Sequence, residues 1–196
     1  MRNAAPSIIW LSGLAGAIMN HDSYPDSYIA GILQDVKSFA MVGASANTRR
    51  PSYFVLKYLI AKGYRVLPVN PGQAGGEILG QKVFARLADI EERVDVVDIF
   101  RNSEAALGIV QDAIALKGKL GVKVIWMQLG VRNDEAAALA EKAGLKVVMN
   151  RCPKIEYGRL SGEIGWVGVN RRLISSQKPV MLGRGFQQLS IRNTKS

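Results

Sequence analysis

The alternation of short apolar runs with helical patterns is the feature that most constrains the fold of this sequence. A run that is apolar throughout is typical of a strand buried on both faces of a parallel sheet. Helical patterns between such runs indicate crossover connections. The pattern therefore predicts an α/β fold with a doubly wound, parallel, five-stranded sheet. The predicted strands are residues 38–42, 64–69, 94–100, 122–128 and 145–149. The predicted helices are 27–37, 51–62, 103–116 and 134–143, and Ser103 is predicted to cap the third of them.

The order of the predicted strands follows from the handedness of their connections. With the strands numbered along the chain, right-handed crossovers favour the order 3-2-1-4-5, which places the second strand between the first and the third. Residues 77–92 are interpreted as a connector with a short helix near its end. The alternation ends after Pro153, and the remaining sequence predicts an irregular, basic C-terminal extension, either a hairpin or a strap packed by Trp166.

The charge of the chain is unevenly distributed. The formal net charge is +10, and residues 156–196 carry seven lysines and arginines against two glutamates. A basic tail can contact nucleic acid or anionic lipid. The sequence contains neither a basic stripe interleaved with aromatic residues nor a known nucleic-acid motif, so a nucleic-acid partner is not favoured. The single cysteine, Cys152, excludes an intramolecular disulfide and fits a reducing compartment, so we expect a cytoplasmic protein.

The first eighteen residues require a separate interpretation. Residues 1–18 contain one arginine and then an apolar stretch that loosely resembles a signal peptide and is too short to span a bilayer comfortably. Met19 opens a polar lead into the first predicted helix. We therefore favour an upstream extension at 1–18, with export as the alternative. The predicted organisation is an N-terminal lead and helix at 19–37, a ligand-binding domain at 38–155 and the basic extension at 156–196.

The loop after the first predicted strand has the composition of a phosphate-binding turn. It reads "GASANTRR" and leads into a helix, whose N-terminus attracts anions. Gly43 permits close approach of a ligand, and Arg49 and Arg50 can pair with a phosphate. The alternative is a plain, tight strand-to-helix turn with solvated arginines.

The second predicted strand argues against NAD. Gly43 stands alone, so the dinucleotide pattern G-x-G-x-x-G is absent. An acidic residue is also expected at the end of the second strand, where it binds the ribose hydroxyls. The sequence there is "RVLPVNPGQAGG", and no carboxylate occurs before Glu77. The loop through Asn70 instead leaves room beside an adenosine.

Four segments together resemble a known family. They are "MVGAS…RPSY", "VNPGQAGGEILGQKVF", "VDVVDIFRNSE" and "MQLGV…NRCPKIEYGRL", and they cover about residues 28–160 in order. They resemble the CoA-binding domain proteins, whose fold is similar to the nucleotide-binding domain of the succinyl-CoA synthetase α subunit. The resemblance implies a Rossmann-like fold that binds coenzyme A or an acyl-CoA.

The resemblance also implies site residues, carried over by position. The synthetase motif has a lysine where this chain has Gln73, and Arg49 or Arg50 could substitute for it. The implied residues are Gly43, Ala44, Ser45, Ala46 and Asn47 around the diphosphate, Pro71, Gly72 and Gln73 near the adenosine, Met127, Gln128 and Leu129 in the third loop, and Asn150, Cys152 and Pro153 in the fourth.

The residues that could support chemistry are few. The synthetases work through a phosphorylated histidine, whereas the single histidine of this chain, His21, lies in the polar lead. The sequence has no G-x-S-x-G elbow and no cysteine or histidine cluster for zinc. Asp95 and Asp98 bracket a predicted strand and are interpreted as structural, with Asp98 able to pair with Arg101. We therefore predict neither catalytic nor metal-binding residues.

Three functions remain open from the sequence. Non-catalytic binding of CoA or an acyl-CoA is favoured. The alternatives are an enzyme or subunit that acts on a CoA- or nucleotide-linked substrate with a partner chain, and a CoA-sensing regulatory protein that uses its basic tail. A homodimer stays open. Because Cys152 lies beside Arg151 and near Lys154, a lowered thiol pKa and a mixed disulfide with CoA form a further hypothesis, against an unreactive loop cysteine.

Overall fold

The structure of the protein is a computed structural model that describes residues 19–163. The interpretations of residues 1–18 and of the strap around Trp166 lie outside the described residues. The helices are α1 (Asp26–Asp35), α2 (Pro51–Ala61), α3 (Ser103–Ala115), α4 (Lys117–Leu120), α5 (Asp134–Lys142) and α6 (Pro153–Ser161). The strands are β1 (Ser38–Val42), β2 (Arg65–Val69), β3 (Glu77–Ile78), β4 (Gln81–Lys82), β5 (Val96–Ile99), β6 (Val124–Met127) and β7 (Lys146–Val148).

Five of the strands form one parallel sheet with helices on both faces, which confirms the predicted doubly wound α/β class. The order is β2-β1-β5-β6-β7, and β3 and β4 form a separate antiparallel hairpin. One row of paired residues crosses the sheet as Leu67, Ala40, Val97, Ile125 and Val147. The predicted strand order was wrong, because the third predicted strand, β5, pairs with β1 rather than with β2.

A proline explains why β2 lies at the edge of the sheet. The carbonyl of Pro68 accepts a hydrogen bond from the Phe84 N–H on the outer side of β2 (2.9 Å), and Asn70 N–H donates to the Phe84 carbonyl (2.8 Å). The N–H and C=O of a strand residue point to the same side, so the donor that proline lacks faces this outer side. A central strand would need that donor for its ladder, whereas an edge strand does not.

Two tyrosines cover the other edge. The Tyr28 hydroxyl donates to the Val147 carbonyl (3.1 Å) and accepts from the Val147 N–H (3.2 Å). The Tyr24 hydroxyl accepts from the Met149 N–H (2.7 Å). The N-terminal lead and α1 thus supply hydrogen-bond partners to β7, which blunts an edge that would otherwise be open to pairing.

The two faces of the sheet bury separate apolar cores. Alternate residues point to opposite faces of a strand. Val97 and Ile125 pack with α3 and α5, whereas Val96 and Trp126 pack with α1, α2 and α6. Trp126 is fully buried, and its ring N–H donates to the Arg151 carbonyl (2.8 Å). This contact ties the end of β6 to the loop before α6.

Two local predictions differ from the structure. The range predicted to be an irregular extension begins inside α6, which starts at Pro153 and buries Tyr157 against the core. Proline suits the first turn of a helix because its missing N–H would have no helical partner there. Asn102, rather than Ser103, caps α3, since its side-chain oxygen accepts from the Ala105 N–H (3.2 Å). Within residues 19–163, every helix is too short or too polar to cross a membrane.

Candidate functional site

Three strands end close together at Gly43. Gly43 N–H donates to the Val69 carbonyl (2.9 Å), and Phe100 N–H donates to the Val42 carbonyl (2.8 Å). The φ angle of Gly43 is +91°, and a Cβ built there would lie 2.5 Å from the Phe100 carbonyl oxygen. Only glycine fits both this conformation and this approach of a neighbouring backbone.

Hydrogen bonds hold the first loop to the second. The Asn70 side-chain amide donates to the Ala44 carbonyl (2.7 Å), and the Ala46 N–H donates to Gln73 Oε1 (2.9 Å). Asn70 also accepts from the Gly72 N–H (2.9 Å). The Gln73 side chain therefore fixes the backbone of the first loop. A lysine could not do this, because its ammonium group cannot accept a hydrogen bond.

The first loop also orders itself. The Asn47 N–H donates to Ser45 Oγ (3.2 Å), and the Arg49 N–H donates to Asn47 Oδ1 (2.9 Å). The Arg50 N–H donates to the Asn47 carbonyl (2.9 Å). Helix α2 then begins at Pro51 with no side-chain cap, which leaves its N-terminus able to attract an anion.

Two adjoining cavities lie at this edge of the sheet, where Gly43, Asn70 and Arg101 line both of them. The larger has a volume of about 580 Å³ and the smaller about 300 Å³. The larger is also lined by Ser45, Arg50, Pro51, Ser52, Val55, Phe100, Gln128, Leu129, Val131 and Cys152. The smaller is also lined by Val42, Val69, Pro71, Ala85, Arg86, Leu87, Ala105, Ile109 and Asp112.

The third and fourth loops are joined beside the larger cavity. Asn150, with φ +52°, accepts from the Gly130 N–H through its side-chain oxygen (2.9 Å). Its own N–H donates to the Val131 carbonyl (3.1 Å). Asn150 therefore shapes the two loops and is absent from both cavity linings.

The predicted site residues divide into three groups. Those that line a cavity are Gly43, Ser45, Arg50, Pro71, Gln128, Leu129 and Cys152. Those on the surrounding loops, outside both linings, are Ala46, Asn47, Arg49, Gly72, Gln73 and Asn150. Those buried in the protein, also outside both linings, are Ala44, Met127 and Pro153.

A buried polar pair lies on the α2 and α6 side of the sheet. Gln128 Nε2 donates to both carboxylate oxygens of Asp98, at 2.9 and 3.2 Å. Asp98 is fully buried, and burial raises its pKa to about 8 although the Gln128 hydrogen bond lowers it. The predicted pairing of Asp98 with Arg101 was wrong, because Arg101 lies exposed at the junction of the cavities and Gln128 is the partner of Asp98.

Asp95 differs from Asp98 in both its position and its partners. It lies before β5, where it pairs with Lys123 Nζ (2.6 Å) and accepts from the Lys37 N–H (2.7 Å). The two carboxylates therefore occupy opposite ends of the strand and do not form an acid–base pair.

Cys152 lies at the start of α6, where it lines the larger cavity but is only 8% exposed. Burial raises the pKa of its thiol, and the nearby Asp98 raises it further. Hydrogen bonds from the Ile155 and Lys154 N–H groups lower the pKa, but their effect is smaller. A raised pKa reduces the thiolate fraction at neutral pH. The surroundings of Cys152 thus disfavour the hypothesis of an activated thiol.

We expect Cys152 to react slowly with 5,5′-dithiobis(2-nitrobenzoate) at pH 7 in the folded protein. Each unit of pKa increase lowers the thiolate fraction about tenfold, and burial restricts access as well. Because Cys152 is the single cysteine, the absorbance change reports this residue alone. The same sample in denaturant is the control. Equal rates in the two samples would contradict this description of the thiol.

Sequence reasoning missed Arg101, Phe100, Ser52 and Val55 as cavity residues. A signal for the first two was present, because Phe100 is the last residue of a predicted strand and Arg101 follows it directly. Ligands of open parallel sheets bind outside those ends. Ser52 and Val55 lie on the first turns of α2, where the helical pattern alone does not distinguish a core position from a cavity wall.

Comparisons with known proteins agree with this architecture. The sequence profile of the CoA binding domain family matches residues 37–158. The uncharacterized protein YneT of Bacillus subtilis (strain 168) is 34% identical over 129 residues, which are 66% of this chain and 91% of YneT. A hypothetical protein from Pyrococcus horikoshii OT3 is 40% identical with a TM-score of 0.65, over 71% of this chain and 94% of that one. A protein from Thermus thermophilus is 35% identical with a TM-score of 0.64, over 69% and 98% respectively.

Proposed function

This chain belongs to the CoA binding domain family, and from that premise we propose that it binds coenzyme A or an acyl-CoA without transforming it. One observation supports the proposal above all. Two cavities meet at a point that is built for an anion, with Gly43, Arg101 and the uncapped start of α2 around it. CoA has the matching layout, with a diphosphate between an adenosine end and a pantetheine arm.

The first loop is the proposed diphosphate site. Backbone N–H groups near a helix N-terminus favour phosphate. Arg50 lines the larger cavity directly before α2 and adds a positive charge. Ser45 and Asn47 serve this site by shaping the loop, while Gln73 holds it against the second loop.

The smaller cavity suits an adenosine. Its walls include aliphatic side chains from Leu87 and Ile109 together with Pro71 of the second loop. Apolar walls with a few polar groups are the usual surroundings of a bound ring system. Asn70 stands where an NAD site would have its ribose-binding carboxylate, and its amide is already bonded to the Ala44 carbonyl. The second loop therefore favours CoA over NAD.

The larger cavity suits the pantetheine arm. It combines Val55, Phe100 and Leu129 with the polar Gln128 on one wall. A mixed lining of this kind fits an arm of alternating amide and methylene groups.

The titratable groups that line the larger cavity support the proposal that the chain does not catalyse a reaction on its ligand. The described lining of this cavity contains two arginines and Cys152 but neither a carboxylate nor a histidine. Within residues 19–163, no cluster of three histidine, cysteine or acidic side chains is placed to hold a metal. The described cavity wall thus offers no ready general base.

Calorimetric titration of the full chain with CoA, acetyl-CoA, NAD and ADP tests the proposal. We expect dissociation constants in the micromolar range for CoA and acetyl-CoA, which correspond to about −8 kcal/mol. We expect no heat with NAD. A folded sample that binds NAD, or that binds none of the four ligands, would contradict the proposal. Recovery of each CoA compound unchanged after overnight incubation tests the absence of turnover.

A further inference from the structure

Arg101 occupies the junction of the two cavities. It follows β5 by two residues, it is exposed, and it lines both cavities. Its Cδ lies 2.9 Å from the position that a Cβ of Gly43 would take. The aliphatic part of Arg101 therefore packs against Gly43, the first residue of the first loop.

Arg101 has no ion-pair partner within residues 19–163, although Asp112 lines the smaller cavity with it. Arginines elsewhere in residues 19–163 pair with carboxylates, and these are Arg65, Arg86, Arg132, Arg151 and Arg159. In the same part of the chain, the guanidinium groups of Arg49, Arg50, Arg93 and Arg101 have no hydrogen-bond or ion-pair partner.

Two of these four unpaired arginines line the larger of the two cavities described above. They are Arg50 and Arg101, and the described lining of that cavity contains no carboxylate. Two cationic side chains that line one cavity repel each other, and an anion bound between them would offset this repulsion. A phosphate oxygen pairs well with a guanidinium, because the planar N–H groups can donate in parallel.

The other candidates for this charge are less suitable. Gln73 is neutral, and its side-chain oxygen already accepts from the Ala46 N–H. Arg49 lines neither cavity.

We propose that Arg101, together with Arg50, binds the diphosphate of the ligand at the junction of the two cavities. This inference rests on the proposed function. It assigns the phosphate-binding charge to a residue of the loop after β5, for which only a structural pairing was predicted from the sequence.

The test compares Arg101→Gln with Arg93→Gln in the full chain. Glutamine keeps a polar side chain and removes the charge, and Arg93 is a matched control because it is exposed, unpaired and outside both cavities and the first loop. Each variant is titrated with CoA and with dephospho-CoA at several salt concentrations. Thermal unfolding confirms that the variants fold.

We expect Arg101→Gln to weaken the binding of CoA and of dephospho-CoA by the same factor, at least about tenfold. Its affinity should also depend less steeply on salt, because one charge contact is lost. Arg93→Gln should stay within about twofold of wild type, and Arg101→Lys should restore part of the affinity. A merely structural role for Arg101 would leave the salt dependence unchanged.

Three results would overturn the two proposals in distinguishable ways. If the wild-type chain fails to bind CoA, the proposed function fails. If wild type binds and Arg101→Gln binds equally well, or keeps the full salt dependence, the inference about Arg101 is wrong. If Arg101→Gln weakens CoA far more than dephospho-CoA, Arg101 contacts the 3′-phosphate and the assignment to the diphosphate is wrong.

Discussion

Replacing Gly43 with alanine is expected to destabilise the protein strongly and to abolish ligand binding. An alanine at φ +91° costs about 1–2 kcal/mol. The new methyl group would also lie 2.5 Å from the Phe100 carbonyl oxygen, and forcing backbone apart adds about 1–3 kcal/mol. Urea unfolding gives the change in free energy, and titration with CoA gives the loss of binding.

Gly63→Ala is a matched control for this prediction. Gly63 has a similar φ of +86°, it follows the end of α2, and a Cβ there would meet no atom within 4 Å. It should lose only about 1–2 kcal/mol for the backbone conformation and keep its affinity for CoA. Equal losses of stability in the two variants would show that the close approach at Gly43 contributes nothing.

Replacing Asp98 with asparagine is expected to remove a pH dependence from the stability of the protein. Burial raises the pKa of Asp98 to about 8, whereas an aspartate in an unfolded chain has a pKa of about 3.9. Between these two values the folded state holds a proton that the unfolded state has released. The free energy of unfolding therefore falls as the pH rises from about 4 to 8, by about 1.4 kcal/mol per unit at most.

Asparagine resembles the protonated carboxyl in shape and still offers an oxygen to Gln128 Nε2. The variant should thus gain stability relative to wild type as the pH rises from 5 to 8. Asp95→Asn is the contrasting control. Burial raises the pKa of Asp95, but Lys123 and the Lys37 N–H outweigh burial and leave the pKa below its ordinary value.

The Asp95 substitution should therefore lower stability by a nearly constant amount over that pH range, because the wild-type carboxylate is ionised in both states. Urea unfolding at pH 5, 6, 7 and 8 measures both differences. A difference between wild type and Asp98→Asn that does not change with pH would contradict the buried, proton-holding state of Asp98.

The strands and the helices between them could be predicted from the sequence because a strand buried on both faces is apolar throughout, and such a run is visible in the local sequence. The first predicted strand agrees with β1 at both ends, and the others extend beyond the observed strands by a few residues. The strand order depends on contacts between distant segments. Pro68 does indicate the position of β2. Because proline has no N–H to donate to a neighbouring strand, it favours an edge strand and argues against a central position for β2.

The loops of the candidate site could be predicted for a simple topological reason: the carboxyl ends of parallel strands meet at one edge. The direction of each side chain could not be predicted in the same way. Met127 is the last residue of β6 and turns into the core, while Gln128 lies on the opposite face and reaches Asp98. The hydrogen bond between Gln128 and Asp98 joins β5 to the loop after β6. No sequence pattern within either segment indicates it.

The central claim is that CoA occupies the carboxyl edge of the sheet, across both cavities. Amide chemical shifts of the ¹⁵N-labelled full chain, recorded as CoA is added, test it most directly. We predict that the largest changes fall on the amides of Gly43–Asn47 and on Gln128, with smaller changes at Gly72. Shifts confined to the opposite edge, around Lys37 and Gly63, or no shifts in a folded sample, would contradict it.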